Sequence, residues 1–226
     1  MNNKIKKIFK CIGMILLFLS FNSFFLAIFN IKKANISDKE YLIYLSISNL
    51  LLLGIFSYIY RETLIKDLSF FKKNFLKNFW YSFKYWIIGF TIMYVGNLII
   101  TKVLNMSIAN NEIMVRNYIN ASPLLMLFYA SIYSPIMEEL TFRKSIKDCT
   151  NNKWSYILIS GLLFGLMHII SYINGPLSLL YLIPYGSFGI IFAYLYYKTD
   201  NIYSTIIIHA MHNTIAIIIY LLGVTL

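Results

Sequence analysis

Apolar residues in this chain come in long unbroken runs rather than in alternation. Seven such runs are legible, at 11–30, 41–60, 83–101, 122–142, 154–173, 177–197 and 202–223. Each is close to the roughly 20 residues that an α-helix needs to cross about 30 Å of hydrocarbon. A closed barrel would show segments of about ten residues with alternating polarity, which these are not. The pattern predicts an all-α, polytopic transmembrane helical bundle of about seven spans. The first run follows Lys4, Lys6, Lys7 and Lys10, as a signal peptide would. Its apolar core exceeds the usual 7–15 residues or so, and Asn30, Ile31, Lys32 and Lys33 offer no small-residue cleavage site, so it is expected to stay as the first span.

Between the second and third runs, "TLIKDLSFFKKNFLKNFW" (63–80) sets Leu64, Leu68, Phe71, Phe75 and Phe79 at helical spacing, with Lys66, Lys72, Lys73 and Lys77 elsewhere on the wheel. This predicts a basic amphipathic helix on the inner membrane surface; a solvated basic loop is the plainer alternative. The polar stretch 102–121, rich in Asn, is placed to cap the outer face. No linker, low-complexity tract or repeat divides the chain, which predicts a single membrane domain over 1–226.

Composition agrees: 59% of the 226 residues are hydrophobic and 13% charged, against roughly 45–50% and 25% in soluble domains. The formal charge of +11 would suit a nucleic-acid partner, but the basic residues lie in the connections between spans. With the N-terminus inside, fifteen Lys and Arg fall on the inner side and five on the outer, which gives N-in and, for seven spans, C-out. The partners expected are the lipid bilayer and a membrane-associated peptide or protein, with no nucleic acid. Cys11 and Cys149 both fall near the inner face, too few for a disulfide framework. The Lys/Asn/Ile bias suits a low-GC bacterium and hence a multi-pass protein of the plasma membrane.

Charged groups at membrane depth cost at least a few kcal/mol each and need partners. Glu138, Glu139, Arg143, His168, His209 and His212 are the candidates, all of them after residue 120. Glu139 and Arg143 are four apart in the favourable order for an ion pair, while Glu138 points about 100° away, with no such partner in its own helix. The plainer alternative is a pair of interfacial acids neutralised by Arg143, Lys144 and Lys147. In "SGLLFGLMH", Gly161 and Gly165 form a face that lets another helix approach, one turn before His168, with Phe164 stacked on the His168 face. In "HAMHN", His209 and Asn213 reach one cavity; His212 either joins them or faces another helix.

Three polar placements on three apolar helices favour one site. Glu138 with His168 can take a proton from water, and His209 with Asn213 can donate hydrogen bonds to a developing oxyanion. The implied reaction is hydrolysis of an amide within or beside the membrane. A zinc variant would use Glu139, His168 and His209 as ligands and Glu138 as base. No HExxH supports it, so the expected mechanism is metal-independent, with no cofactor.

The three motifs, E-E-x-x-x-R in "EELTFR", F-x-x-x-H in "FGLMH" and H-x-x-x-N in "HAMHN", occur in this order. The chain thereby resembles the CPBP (Abi) intramembrane proteases, which include type II CAAX prenyl proteases and bacteriocin-processing or immunity proteins. The resemblance covers 122–223, the catalytic core it implies. It implies endopeptidase activity in a cavity opening to the cytoplasm, with Glu138 as base, His168 as its partner in activating water, His209 and Asn213 as oxyanion stabilisers, and Glu139 and Arg143 in support. Two other readings remain open at this stage: a non-catalytic immunity or binding protein, and a small transporter using Glu138 and Glu139 as a relay. One detail fits poorly: Glu138 lies near the inner end of its span and His168 deep in the next. Either the later span starts in the cytoplasm or the earlier one projects beyond Arg143.

Overall fold

A computed structural model describes residues 3–223 as helices and short connections, with no strand among them. The chain runs α1 (Asn3–Ile28), α2 (Asp38–Ile59), α3 (Arg61–Lys73), α4 (Phe75–Leu98), α5 (Asn110–Ala121), α6 (Pro123–Phe128), α7 (Ser134–Glu138), α8 (Ile146–Cys149), α9 (Lys153–Ile169), α10 (Leu182–Thr199) and α11 (Tyr203–Leu221). Polar residues set the boundaries. Ser37 and Glu40 close a reciprocal capping box on α2, and Asn152 accepts from the Trp154 and Ser155 amides to start α9.

Among the described residues, six helical stretches are long and apolar enough to span a membrane: Asn3–Ile28, Asp38–Ile59, Phe75–Val103, Lys153–Tyr172, Pro176–Thr199 and Tyr203–Leu221. The expected span at 122–142 takes another form. Residues 123–149 follow one helical path in which α6, α7 and α8 alternate with π-wound segments at Tyr129–Tyr133 and Glu139–Ser145. From Tyr133 to Ile146 this path is largely enclosed by other helices, which is why it can carry charges that a lipid-facing span could not. It also runs six residues beyond Arg143, to Cys149, the length that a projecting fourth span would need.

The predicted surface helix is shorter than 63–80. It ends at Lys73, and from Phe75 the chain already belongs to α4, because Phe75, Phe79, Phe83, Trp86, Phe90 and Tyr94 form one continuous ring ladder along that span. Asp67 of α3 is buried: its carboxylate accepts from the Ile202 amide at 2.9 Å and its carbonyl from Asn201 Nδ2 at 2.8 Å, pinning the start of α11. The stretch 102–121, expected on the outer side, is largely helix α5, tied down by Tyr172 to Met114 Sδ and Tyr220 to Asn120.

The small-residue face of α9 does what its spacing predicts. A Cβ on Gly161 would lie 2.8 Å from the Ile190 backbone nitrogen, and one on Gly189 would lie 2.4 Å from the Gly161 carbonyl oxygen, so α9 and α10 touch backbone to backbone.

Candidate active site

Ser134, Pro135, Met137 and the run from Glu138 to Arg143 are buried in the segmented helix. π-winding is rare and often marks functional positions. Here the second π-wound segment of the path begins at Glu139, and the two adjacent glutamates face the same histidine from α11.

Glu139 and Arg143 are both fully enclosed, at 0% exposure, so each depends on the other for charge compensation. Arg143 Nε donates to Glu139 Oε2 at 2.9 Å and Nη2 to Oε1 at 3.3 Å, a bidentate arrangement. Its Nη1 donates to Ser160 Oγ at 3.1 Å, and the guanidinium lies 4.6 Å from the centroid of the Phe164 ring. The ion pair expected from the i,i+4 spacing is present, and α9 completes its surroundings.

Glu138 is less isolated in its own helix than its spacing suggested. The Ser134 hydroxyl, one turn earlier, donates to Oε1. Oε2 is buried and has no hydrogen-bond partner among the described residues. His209 stands between the two acids: Nδ1 is 3.0 Å from Glu139 Oε1, and Nε2 is 3.8 Å from Glu138 Oε2. Because Glu139 is already the acceptor for Arg143, the hydrogen of this contact belongs on Nδ1.

His168 makes no hydrogen bond to Glu138. Its Nδ1 donates to the Phe164 carbonyl at 2.9 Å, which leaves Nε2 as the proton-accepting nitrogen of the neutral ring. The ring stacks between Phe164 (4.6 Å) and Tyr185 (4.9 Å), within electrostatic reach of Glu138 and His209. Asn213 spends one N–H on the Ala130 carbonyl, at 2.8 Å. His212 faces away from the acids: it accepts from Trp86 Nε1 at 3.4 Å and packs against Phe188 at 4.5 Å. Three partners escaped the sequence reading: Ser134, Ser160 and Tyr185. The same four-residue rule that paired Glu139 with Arg143 also joins Ser134 to Glu138. The other two come from other helices and carry no local signal.

Of the alternative metal set, Glu139 has both oxygens engaged, by Arg143 and His209, while His168 and His209 use Nδ1 toward a carbonyl and a carboxylate and keep Nε2 free. Among the described residues no three His, Cys, Asp or Glu side chains are arranged to hold a metal ion.

Residues 120–215, the stretch holding all of these groups, match the model of the family "Type II CAAX prenyl endopeptidase Rce1-like". Two bacterial relatives are similar in sequence. One, from Bacillus subtilis, is named "Putative membrane peptidase YdiL" and is 34% identical over 116 residues, 50% of this chain and 44% of its own length. The other, UPF0177 protein YxdF of Lactococcus lactis, is 30% identical over 148 residues, 62% of this chain and 79% of its own length. The chain thus spans less than half of the first relative and most of the second. No solved structure matches. The chain belongs to the CPBP family, whose Rce1-like members define its motif-bearing region. It is a multi-pass membrane protein.

Proposed function

We propose that the protein is an intramembrane endopeptidase that hydrolyses a peptide bond in a small membrane-associated peptide or protein. The observation that carries this reading is Glu138 Oε2: a buried carboxylate oxygen with no hydrogen-bond partner among the described residues, 3.8 Å from His209 Nε2. A water held by Oε2 and His168 Nε2 gives its proton to Glu138, and the hydroxide attacks the scissile carbonyl carbon. The oxyanion takes hydrogen bonds from His209, protonated at Nε2, and from the second N–H of Asn213. Glu139 orients the His209 ring through Nδ1 and balances its charge, while Arg143 holds Glu139 in place. The proton on Glu138 then passes to the leaving amine as the C–N bond breaks. These steps use the side chains of the protein alone. Bacteriocin or signalling-peptide precursors are the substrate class that this reading favours, whether for maturation or self-protection.

The test compares membrane-associated peptides from cells carrying the wild type and Glu138→Gln. Cleavage is expected to fall by about 10²–10⁴, the range of a lost general base, with insertion and fold retained. Undiminished processing in that variant would remove Glu138 from the role of base.

A further inference from the structure

Several helical serines and threonines in this bundle turn their hydroxyls backwards. Ser46 donates to the Leu42 carbonyl at 2.7 Å, Thr91 to Ile87 at 2.8 Å and Thr214 to Ala210 at 2.7 Å. That is the ordinary outlet for a hydroxyl in a helix, where the i−4 carbonyl is the nearest acceptor. Ser134 does the opposite. The carbonyl four residues before it is that of Ala130, which accepts from Asn213 Nδ2. The Ser134 hydroxyl points forward instead, to Glu138 Oε1.

Local winding makes this forward bond possible. Ser134–Glu138 is the α-wound turn between the π segments Tyr129–Tyr133 and Glu139–Ser145, so residues 134 and 138 stand one above the other. Ser134 is 8% exposed and Glu138 6%, so water does not compete freely for the bond. A hydroxyl donating to a buried carboxylate is charge-assisted and directional.

We propose that Ser134 is a positioning residue for Glu138: its hydroxyl occupies Oε1, fixes the plane of the carboxylate and leaves Oε2 as the oxygen facing the reaction. Asn213 bonds the Ala130 carbonyl, one turn before Ser134, so the H-x-x-x-N motif and the E-E-x-x-x-R motif meet on this short stretch of helix. This role rests on the reading of Glu138 as the base. The contact itself does not.

The experiment separates the two. Wild type, Ser134→Ala, Ser134→Thr and Glu138→Gln are reconstituted in liposomes. Infrared difference spectra then identify the Glu138 carboxyl band as the one lost in Glu138→Gln. That band is expected to shift in Ser134→Ala and to return toward its wild-type position in Ser134→Thr. A band unmoved in Ser134→Ala overturns the inference whatever the activity. Turnover is read with two pools of fluorescence-quenched apolar peptides, one carrying a farnesylated cysteine. Ser134→Ala is expected to lose about 10- to 100-fold in kcat with KM unchanged, the value of a hydrogen bond to a charged group. Ser134→Thr, which restores the hydroxyl and adds a methyl, recovers most of that loss. Ser134→Ala turning over like wild type, or equal losses in both variants with the band unmoved, assigns Ser134 to packing. Full turnover in Glu138→Gln with the band shift intact would sink the catalytic reading and leave the contact standing.

Discussion

The two ends of the chain use the bilayer differently. In α1 only 11% of the most apolar eighteen residues are buried inside the protein, while in α9 and α10 the share is 39%. By hydropathy alone α1 is the more convincing membrane helix, at 2.3 against 1.6 for each of the other two. The contrast shows that apolarity reports on lipid and burial reports on other helices. Charged and polar groups survive at depth only in the second environment, where another helix can complete their hydrogen bonds. Glu138, Glu139, Arg143 and His209 are all buried there. The contrast can be pushed with substitutions that should hurt one region and spare the other.

Removing Arg143 should do the most damage to stability. Arg143→Met keeps the bulk but strands Glu139 at 0% exposure, and breaking a buried pair from one side costs about 3–5 kcal/mol. Titration of the reconstituted protein with a denaturing detergent should show a loss of that size. The double variant Glu139→Gln/Arg143→Met should lose less than Arg143→Met alone, since no charge is left unpaired. If the single variant unfolds like wild type, water reaches Glu139 and the site is more open than its packing indicates.

A middle-sized effect is expected where α9 meets α10. In Gly161→Ala the new methyl would meet the backbone of Ile190 at 2.8–2.9 Å, and backbone cannot move aside as a side chain can. Overpacking of this kind costs about 1–3 kcal/mol. The displacement should also reach the site, because Ser160 and Phe164 on the same helix hold Arg143. Thermal unfolding and cleavage should therefore decline together, which a purely local defect would not produce.

Much of this site could be read from residue order alone, and the reason is spacing. Glu139 and Arg143, Gly161 and Gly165, and Phe164 and His168 are each four apart, so any helical path brings each pair onto one face. The length and apolarity of the runs likewise fixed the helical class, although 122–142 became a π-interrupted, enclosed path. The π winding itself left no mark in the runs. The bond from Asn213 to the Ala130 carbonyl spans 83 residues, and the place of His209 between the two acids rests on a contact across 70. The end of the surface helix at Lys73 was missed because the amphipathic pattern of 63–80 continues across it. The aromatic ladder that assigns Phe75 and Phe79 to α4 becomes clear only when its later rings are seen stacked.

The smallest effect should come from the lipid face of α1, and it is the sharpest check on the contrast. Leu16 is 59% exposed and Leu19 54%. In a membrane, hydrocarbon tails are as apolar as leucine, so truncating a side chain that faces them removes no protein packing and creates no cavity, because lipid fills the space. Leu16→Ala and Leu19→Ala are each expected to stay within about 0.5 kcal/mol of wild type in the same detergent titration, as surface changes usually do. The comparison must be made in liposomes as well as in detergent, because a face covered only in the bilayer would register only there. A loss of about 2 kcal/mol or more in liposomes would be the cost of a cavity, not of an exposed leucine. The α1 face would then be packed against protein rather than lipid, and the low burial at this end of the chain would describe one subunit of a larger assembly.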